Sequence, residues 1–300
     1  MLKPQSLKLA GADDTPDPRS PIVVWGLPTS AGGGTGRLGA ENGPDELRRA
    51  SHGWNSLRTS SGYPFGGGGA ISDLGNLNLD GLAGLPLMER IERHCPVAGW
   101  ERFLLSLGGD HSISYAVVKA LAQSSGQAPG LIYFDAHPDT VDMVDGNRYS
   151  HAAVLRRLVD EGWVDPARTL LIGIRVPEAE EVVYLASRQL AVITPFDILE
   201  KGFGHVWSAI QQRINGAPLY LSLDLDVIDA GEVPGVENPE PAGLSSRELL
   251  YLVDKLAPHL WGADIVELSA ECDPAGITAK TAARLAIDIV GGKLQGLGGG

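Results

Sequence analysis

The amino-acid sequence predicts an α/β fold, a three-layer sandwich with a mostly parallel central sheet and helices on both faces. Short apolar runs typical of buried strands alternate along the chain with longer segments whose apolar residues recur at helical spacing. Such alternation is characteristic of a parallel sheet that helices cover on both sides. The chain has 300 residues, of which 43% are hydrophobic, and this is enough to form one large core.

Each predicted element follows from its local pattern. The strands are short apolar runs at residues 21–25, 70–75, 103–107, 131–134, 169–174, 191–194 and 263–268, with a further strand that begins at residue 219. The helices carry apolar stripes at residues 43 onward, 82–94, 114–123, 152–162, 178–190, 205–214, 247–256 and 277–290. Ser245 or Ser246 is the expected amino-terminal cap of the helix 247–256.

We expect one domain over residues 21–290, preceded by a flexible arm at residues 1–20 and followed by a flexible glycine-rich tail at residues 291–300. The formal net charge of −13 argues against nucleic acid or an anionic membrane as a partner. The sequence contains neither a transmembrane run nor the apolar segment of a signal peptide. Cys95 and Cys272 match no disulfide framework or zinc signature, so we expect free thiols in a reducing cytoplasm.

Polar residues occur at or near the carboxyl ends of three predicted strands, where ligands bind in parallel sheets. His111 follows the strand at residues 103–107. Asp135, His137 and Asp139 alternate after one strand, and an extended chain would place them on one face. Asp224 and Asp226 show the same alternation inside another apolar strand. Six residues are candidate metal ligands: His111, Asp135, His137, Asp139, Asp224 and Asp226.

The charge of these six residues indicates how many ions they would hold. Four carboxylates and two neutral imidazoles carry −4, which two divalent ions would neutralise and one would not. Two ions held in this way can activate a water molecule. Oxygen and imidazole ligands suit Mn²⁺, although other divalent ions are possible. A solvated turn is the alternative for an Asp-rich strand end, but it does not explain carboxylates inside an apolar strand.

Four motifs resemble those of the ureohydrolases, the arginase and agmatinase superfamily. They occur in the family's order: GGDHS at residues 108–112, DAHPD at 135–139, SLDLDVID at 222–229 and VELSAECDPAG at 266–276. The loop DGNRYSHA at 145–152 is closer to the agmatinase branch. The resemblance implies an arginase-like catalytic domain, two Mn²⁺ ions and a homo-oligomer, either a trimer or a hexamer.

The resemblance also implies a role for each site residue. Asp139 would orient the attacking hydroxide, His151 would protonate the leaving amine, and Glu267 would pair with a guanidinium. A helix-capping histidine and a surface salt bridge are the structural alternatives for the last two. The implied ligand sets are His111, Asp135, Asp139 and Asp224 for one ion, and Asp135, His137, Asp224 and Asp226 for the other.

We therefore expect hydrolysis of a small cationic guanidino compound to urea and an amine, with agmatine giving putrescine as the first choice. Guanidinobutyrate, guanidinopropionate, arginine and formiminoglutamate are alternatives with the same chemistry. Asp142 or Asp145 could attract a terminal amine, and Arg148 or Arg175 a carboxylate, although all four could be solvated loop charges. Departures from the family pattern at Ala230, at residues 236–238 and at Ala270 leave the substrate open.

Two hypotheses about the function, each of a different kind, remain. One is a metal-binding relative without turnover, against which the complete set of candidate residues argues. The other is a dinucleotide-dependent oxidoreductase that uses GTGRLG at residues 34–39. That glycine pattern does not follow its strand directly and does not open a helix, as the fingerprint requires.

Overall fold

A single parallel sheet runs through the protein. The computed structural model describes residues 7–33, 39–66 and 69–298. The strands β1 to β8 are Ile22–Leu27, Ile71–Asn76, Phe103–Gly108, Gly130–Phe134, Thr169–Ile172, Ala191–Ile193, Leu219–Asp224 and Gly262–Val266. They pair in the order β2-β1-β3-β8-β7-β4-β5-β6, and every pairing is parallel. The predicted α/β fold is confirmed.

Helices cover both faces of this sheet. Helices α1 to α9 of the described residues are Gly43–Ser51, Gly84–His94, Ile113–Ser125, Val154–Asp160, Ala179–Arg188, Pro195–Lys201, Phe203–Gln211, Ser246–Leu256 and Ile277–Gly298. Alternate strand residues join separate cores: Ile22 and Val24 pack with α1 and α6 to α9, whereas Val23 and Trp25 pack with α2 to α5. The three predicted layers follow from this alternation.

The strand order brings four carboxyl ends together. β3, β8, β7 and β4 are consecutive neighbours near the centre of the sheet. Their register is nearly level, since Leu107 pairs with Ile265, Asp224 with Val266, and Phe134 with Leu223. Side chains that follow these strands therefore meet at one edge of the sheet.

Helix α6, Pro195–Lys201, was not predicted from the sequence. Its first turn carries a capping box in which the Thr194 hydroxyl accepts from the Asp197 amide and the Asp197 carboxylate accepts from the Thr194 amide. Pro195 occupies the first helical position, where it is favoured. Threonine followed three residues later by an acidic residue is a helix-start signal that the sequence did offer.

Parts of both chain ends pack on the protein, while the flexibility expected of residues 1–20 and 291–300 stays a prediction. Leu9 is only 1% exposed, and its amide donates to the Asp73 carboxylate at 2.7 Å, so residues 7–10 pack on the protein. At the other end α9 continues to Gly298, with Gly291 and Gly292 buried. A Cβ on Gly291 would lie 2.4 Å from Thr59 Cγ2, so close packing explains this glycine. Residues 1–6 and 299–300 lie outside the described residues.

None of the helices in the described stretches combines the length and the hydrophobicity that a membrane span needs.

A buried ion pair holds the amino-terminal segment, α1 and β2 together. The fully buried guanidinium of Arg48 donates from Nε and Nη2 to Asp73 Oδ2 and Oδ1, each at 2.8 Å. The same carboxylate accepts from the amides of Leu9 and Gly75. This geometry is bidentate, and charge-assisted bidentate pairs are strong when all their partners are satisfied.

We predict that Asp73→Ala lowers the free energy of unfolding by about 3–5 kcal/mol, because it leaves a buried guanidinium without its counter-charge. Urea denaturation measures this change, and hydrogen exchange should speed up at the Leu9 amide. The control Glu89→Ala, at an exposed helical position, should stay within about 0.5 kcal/mol of the wild type. Equal stability of the two variants would contradict the prediction.

Candidate metal centre

The predicted ligands lie at the shared edge of the four central strands. His111 follows β3 by three residues, and Asp135 follows β4 directly. Asp224 is the last residue of β7, and Glu267 comes directly after β8. The topology therefore places these side chains together although they are far apart in sequence.

Asp135, His137 and Asp139 come together, but the extended geometry predicted for them is wrong. The chain turns after β4, because the His137 amide donates to Asp135 Oδ1 at 2.6 Å. Asp139 has a φ of +52°, in the left-handed region that aspartate tolerates better than most residues. A compact turn, and not a period of two, directs these three side chains to one place.

The same correction applies to Asp224 and Asp226. Strand β7 ends at Asp224, whose Oδ1 accepts from the Asp226 amide at 2.8 Å. That hydrogen bond starts a 3-10 turn over Leu225–Val227. Asp226 Oδ1 in turn accepts from the Ala136 amide at 2.9 Å, which ties the ends of β7 and β4 together.

One nitrogen of His111 faces three carboxylates. His111 Nδ1 lies 3.1 Å from Asp135 Oδ2, 3.2 Å from Asp139 Oδ2 and 3.1 Å from Asp224 Oδ2. The nitrogen has at most one proton to offer, so it cannot satisfy three anionic oxygens. All four residues are buried. A cation among these atoms would satisfy the carboxylates together.

A second group of donor atoms adjoins the first. His137 Nδ1 lies 2.8 Å from Asp226 Oδ2 and 3.6 Å from Asp135 Oδ1. Asp135 therefore contributes one oxygen to each group. His111, Asp135 and Asp224 on one side, and Asp135, His137 and Asp226 on the other, each bring their atoms close enough to hold one ion. Such oxygen and imidazole sets fit divalent metals, Mn²⁺ among them.

Asp135 gives the clearest sign that a cation belongs here. Its Oδ2 is buried and makes no hydrogen bond of adequate geometry among the described residues. Burial raises the pKa of Asp135 to about 6, and the nearby Asp139 and Asp226 carboxylates add to the increase. Burial alone lowers the pKa of His111 and His137, but the surrounding carboxylates outweigh it and raise both above the ordinary value.

A buried hydrogen-bond chain orients the His111 ring from behind. His111 Nε2 lies 2.8 Å from Ser222 Oγ, and the Ser222 hydroxyl donates to Asp264 Oδ1 at 2.8 Å. Tyr220 donates to the other oxygen of Asp264 at 2.9 Å. Because Ser222 gives its proton to Asp264, its oxygen can accept one from His111 Nε2. This arrangement favours the tautomer with a free lone pair on Nδ1, as a metal ligand needs.

His111 and the three carboxylates that it faces, those of Asp135, Asp139 and Asp224, form what we call the His111 group. Glu267 and His151 lie beside it. A φ of +67° at Glu267 turns its side chain back to the sheet edge, where Oε1 accepts from the His111 amide at 2.6 Å. Glu267 Oε2 is buried and has no hydrogen-bond partner among the described residues. His151 Nδ1 lies 3.4 Å from Glu267 Oε1. Burial lowers the pKa of His151, but Glu267, with help from Asp139 and Asp110, outweighs it and raises the pKa to about 9.

These side chains open onto a cavity of about 270 Å³. Its lining residues are His111, His137, Asp139, Val141, Val144, His151, Ala152, Val176, Glu178, Glu181, Asp224, Asp226, Asn238 and Glu267. All its charged lining residues other than histidine are acidic, within the described part of the chain. The lining also includes three valines, and Glu178 is its exposed acidic residue among those described.

The charges that the sequence suggested for substrate recognition lie elsewhere. Asp142 accepts from Arg157 Nη2 at 2.6 Å. Arg175 donates to the carbonyls of Asp226, Glu240 and Pro241 at 2.7–2.9 Å, so its guanidinium holds backbone and is not free for a carboxylate. Asp145 and Arg148 border a separate surface depression beside α2. The glycine pattern at residues 34–39 lies largely outside the described residues.

Several residues of the site were not predicted. Tyr133 and Ser222 are the most informative, since each lies two residues before a candidate ligand, Asp135 or Asp224. Tyr133 donates to Asp139 Oδ2 at 2.7 Å and stacks on the His111 ring. The period of two would have found both positions, had it been extended backward from Asp135 and Asp224.

Comparisons with known proteins agree with this geometry. A model described as Arginase family matches residues 20–291. The chain is 33% identical over 270 residues to the mitochondrial guanidino acid hydrolase of Homo sapiens, covering 88% of this chain and 76% of that protein. It is 33% identical over 276 residues to the guanidinopropionase of Pseudomonas aeruginosa, covering 90% and 85%. The crystal structure of the agmatine ureohydrolase of Thermoplasma volcanium superposes with a TM-score of 0.82 at 28% identity, covering 97% and 95%.

We predict that Asp135→Asn abolishes stabilisation by Mn²⁺, because Asp135 belongs to both groups of donor atoms. Metal at a 100-fold excess over its Kd should stabilise the wild type by about 2.7 kcal/mol. The metal-free variant should be no less stable than the metal-free wild type at pH 7. The raised folded-state pKa means that the ionised carboxylate destabilises the fold above about pH 6, a cost that disappears as the pH falls to about 4.

Thermal melts with Mn²⁺ and with a chelator measure both effects. Asp165→Asn, at a helix cap away from the centre, is the control and should keep the Mn²⁺-dependent shift. An unchanged shift in Asp135→Asn would contradict the metal assignment.

Proposed function

The chain belongs to the arginase family, whose hydrolases act on guanidino C–N bonds, and on that premise we propose that its substrate is agmatine, hydrolysed to urea and putrescine with two Mn²⁺ ions. The observation that carries the proposal is the charge of the cavity. Both ends of agmatine are cationic, and every charged residue of the described lining other than histidine is acidic. The four methylenes between the cationic ends suit the valine side chains of the same lining.

The proposed ligand sets are those that the sequence implied, with His111 on one side of the shared Asp135 and His137 on the other. Bound divalent ions of this kind supply a water of lowered pKa at neutral pH. Asp139, whose carboxylate lies beside His111 Nδ1, would orient that water and accept its proton. The buried Asp135 Oδ2 without a hydrogen bond supports this assignment.

Glu267 would hold the electrophile. Its Oε1 is already fixed by the His111 amide, and Oε2 is left to accept from a guanidinium N–H. The hydrogen bond between a buried carboxylate and a guanidinium is charge-assisted and directional, so it would fix the orientation of the substrate's guanidinium. The guanidinium carbon would then lie next to His111 and the carboxylates around it, because Glu267 accepts a hydrogen bond from the His111 amide.

His151 would supply the proton that the reaction needs. Attack of water would form a bond from its oxygen to the guanidinium carbon, after which the bond from that carbon to the alkyl nitrogen must break. The nitrogen leaves as a neutral amine only if it receives a proton. With Nδ1 directed at Glu267, the proton on His151 Nε2 is available. A pKa of about 9 keeps the imidazole protonated at neutral pH.

The far end of the substrate would meet Glu178. Glu181 is occupied, since it accepts from the amide and hydroxyl of Thr140 and from the Glu178 amide. Glu178 borders the cavity and is exposed, so its carboxylate can meet a cation in addition to its contact with the Glu181 amide in the capping box of α5. We therefore assign the terminal ammonium of agmatine to Glu178.

A guanidino acid is the second candidate, because two of the relatives carry names of guanidino acid hydrolases. A carboxylate at the far end would face Glu178 and would find no lysine or arginine among the described lining residues. The charge of the cavity therefore ranks agmatine first.

We predict that the Mn²⁺-loaded protein releases urea from agmatine faster than from guanidinobutyrate, guanidinopropionate, arginine or formiminoglutamate, and that a chelator stops it. Glu178→Gln should raise KM for agmatine about fivefold, as the loss of one exposed ion pair of about 1 kcal/mol implies. Glu180→Gln, on the neighbouring exposed residue, is the matched control. Faster turnover of a guanidino acid would reject agmatine and would assign its carboxylate to a cation beyond the described lining.

We predict that His151→Gln lowers kcat about 10²–10⁴-fold while the Mn²⁺-dependent thermal shift stays the same. Activity of the wild type should fall as the pH rises through about 9, since His151 then loses its proton, and the variant should lack this alkaline decline. Steady-state rates between pH 6 and 10 test both points. Loss of the thermal shift in His151→Gln would mean that His151 binds metal.

A further inference from the structure

Tyr133 lies on β4 two residues before Asp135, with its side chain fully buried beneath the candidate metal centre. A buried tyrosine on a central strand ordinarily contributes a ring to the core and gives its hydroxyl to a nearby acceptor. The acceptor here is Asp139 Oδ2 at 2.7 Å, and the tyrosine oxygen lies 3.3 Å from His111 Nδ1. Both of these partners belong to the same group of donor atoms.

The ring of Tyr133 is also tied to this group. It stacks on the imidazole of His111 with a centroid distance of 4.9 Å and an interplanar angle of 8°. The ring therefore limits rotation of the imidazole about its axis. Together with Ser222 behind Nε2, it leaves His111 one orientation, with Nδ1 directed at the three carboxylates.

The Asp139 backbone is held separately from its carboxylate. The Asp139 carbonyl accepts from the amides of Leu155 at 3.0 Å and Arg156 at 3.3 Å, at the start of α4. This fixes the backbone in its left-handed conformation but leaves the carboxylate free to rotate. Among the described residues, the Asp139 carboxylate has two recorded polar contacts, which are the hydrogen bond from the Tyr133 hydroxyl and the contact with His111 Nδ1.

We propose that Tyr133 is a positioning residue for the ion held by His111 and Asp139, because its hydroxyl fixes the Asp139 carboxylate and its ring fixes the His111 imidazole. This inference rests on the proposed two-metal function. It assigns Tyr133 to one ion only, since His137 and Asp226 make no recorded contact with it in the described structure. Donors of this kind behind a metal ligand typically change metal affinity about 10–100-fold.

The test is a titration of the metal-free protein with Mn²⁺. Calorimetry and the electron paramagnetic resonance signal of free Mn²⁺ monitor the binding. Tyr133→Phe keeps the ring and removes the hydroxyl. We expect one of the two binding constants to fall about 10–100-fold while the other stays unchanged. A tyrosine that only fills the core would leave both constants unchanged.

Tyr115→Phe is the matched control. Tyr115 is also buried and donates to a carboxylate, Glu161 Oε2, at 2.7 Å, but it lies outside the metal centre. It should leave both constants unchanged, and a melt of each metal-free variant reports any loss of fold. As a second measurement, Tyr133→Phe added to Asp139→Asn should bind no more weakly than Asp139→Asn alone, because the two act through one hydrogen bond.

The outcomes separate this inference from the proposed function. A wild type that binds no Mn²⁺ rejects both. A wild type that binds two ions, with unchanged constants in Tyr133→Phe, rejects only the role of Tyr133. An equal fall in both Mn²⁺ binding constants, or an additive loss of affinity in the double variant, also rejects the role of Tyr133, since the effect would then not pass through Asp139.

Discussion

Four buried aspartates share one small volume at the carboxyl edge of the sheet, and this concentration of negative charge is the constraint behind most of the surrounding structure. Two carboxylates about 4 Å apart repel by roughly 1–4 kcal/mol, depending on the local dielectric. Backbone amides at the ends of β4 and β7 offset part of that cost by donating to Asp135, Asp224 and Asp226. The remainder explains why His111 and His137 lie among the carboxylates and why a cation fits between them.

The sheet makes this concentration possible. Parallel strands end at a common edge, and the order β3, β8, β7, β4 makes neighbours of four strands that are distant in sequence. Hydrogen bonds between strand ends then fix the site itself, as between Ala136 and Asp226 or between His111 and Glu267. The candidate metal ligands and Glu267 are therefore joined by hydrogen bonds between the strand ends.

Local sequence predicted the strands and most of the helices and suggested the candidate metal ligands, because these depend on short-range patterns of apolar and polar residues. It could not predict how loop charges are used. Arg175 holds carbonyls from residues 51 to 66 positions away, and Asp142 is taken by Arg157 from the next helix. Tyr133 read as an ordinary core residue, since its hydrogen bond to Asp139 exists only after the chain turns. The contacts of Arg175 and Asp142 follow from tertiary structure and leave no periodic trace, whereas the period of two that marked Asp135 also reaches Tyr133.

The raised pKa of His111 and His137 has a consequence for the living cell. The surrounding carboxylates favour a second proton on each ring in the metal-free protein, and a ring nitrogen that binds metal must release its proton. Loading the centre is therefore an exchange of protons for metal. Acidification would shift this exchange toward the metal-free protein, so in a cell the occupancy of the candidate centre would depend on pH as well as on the concentration of free metal.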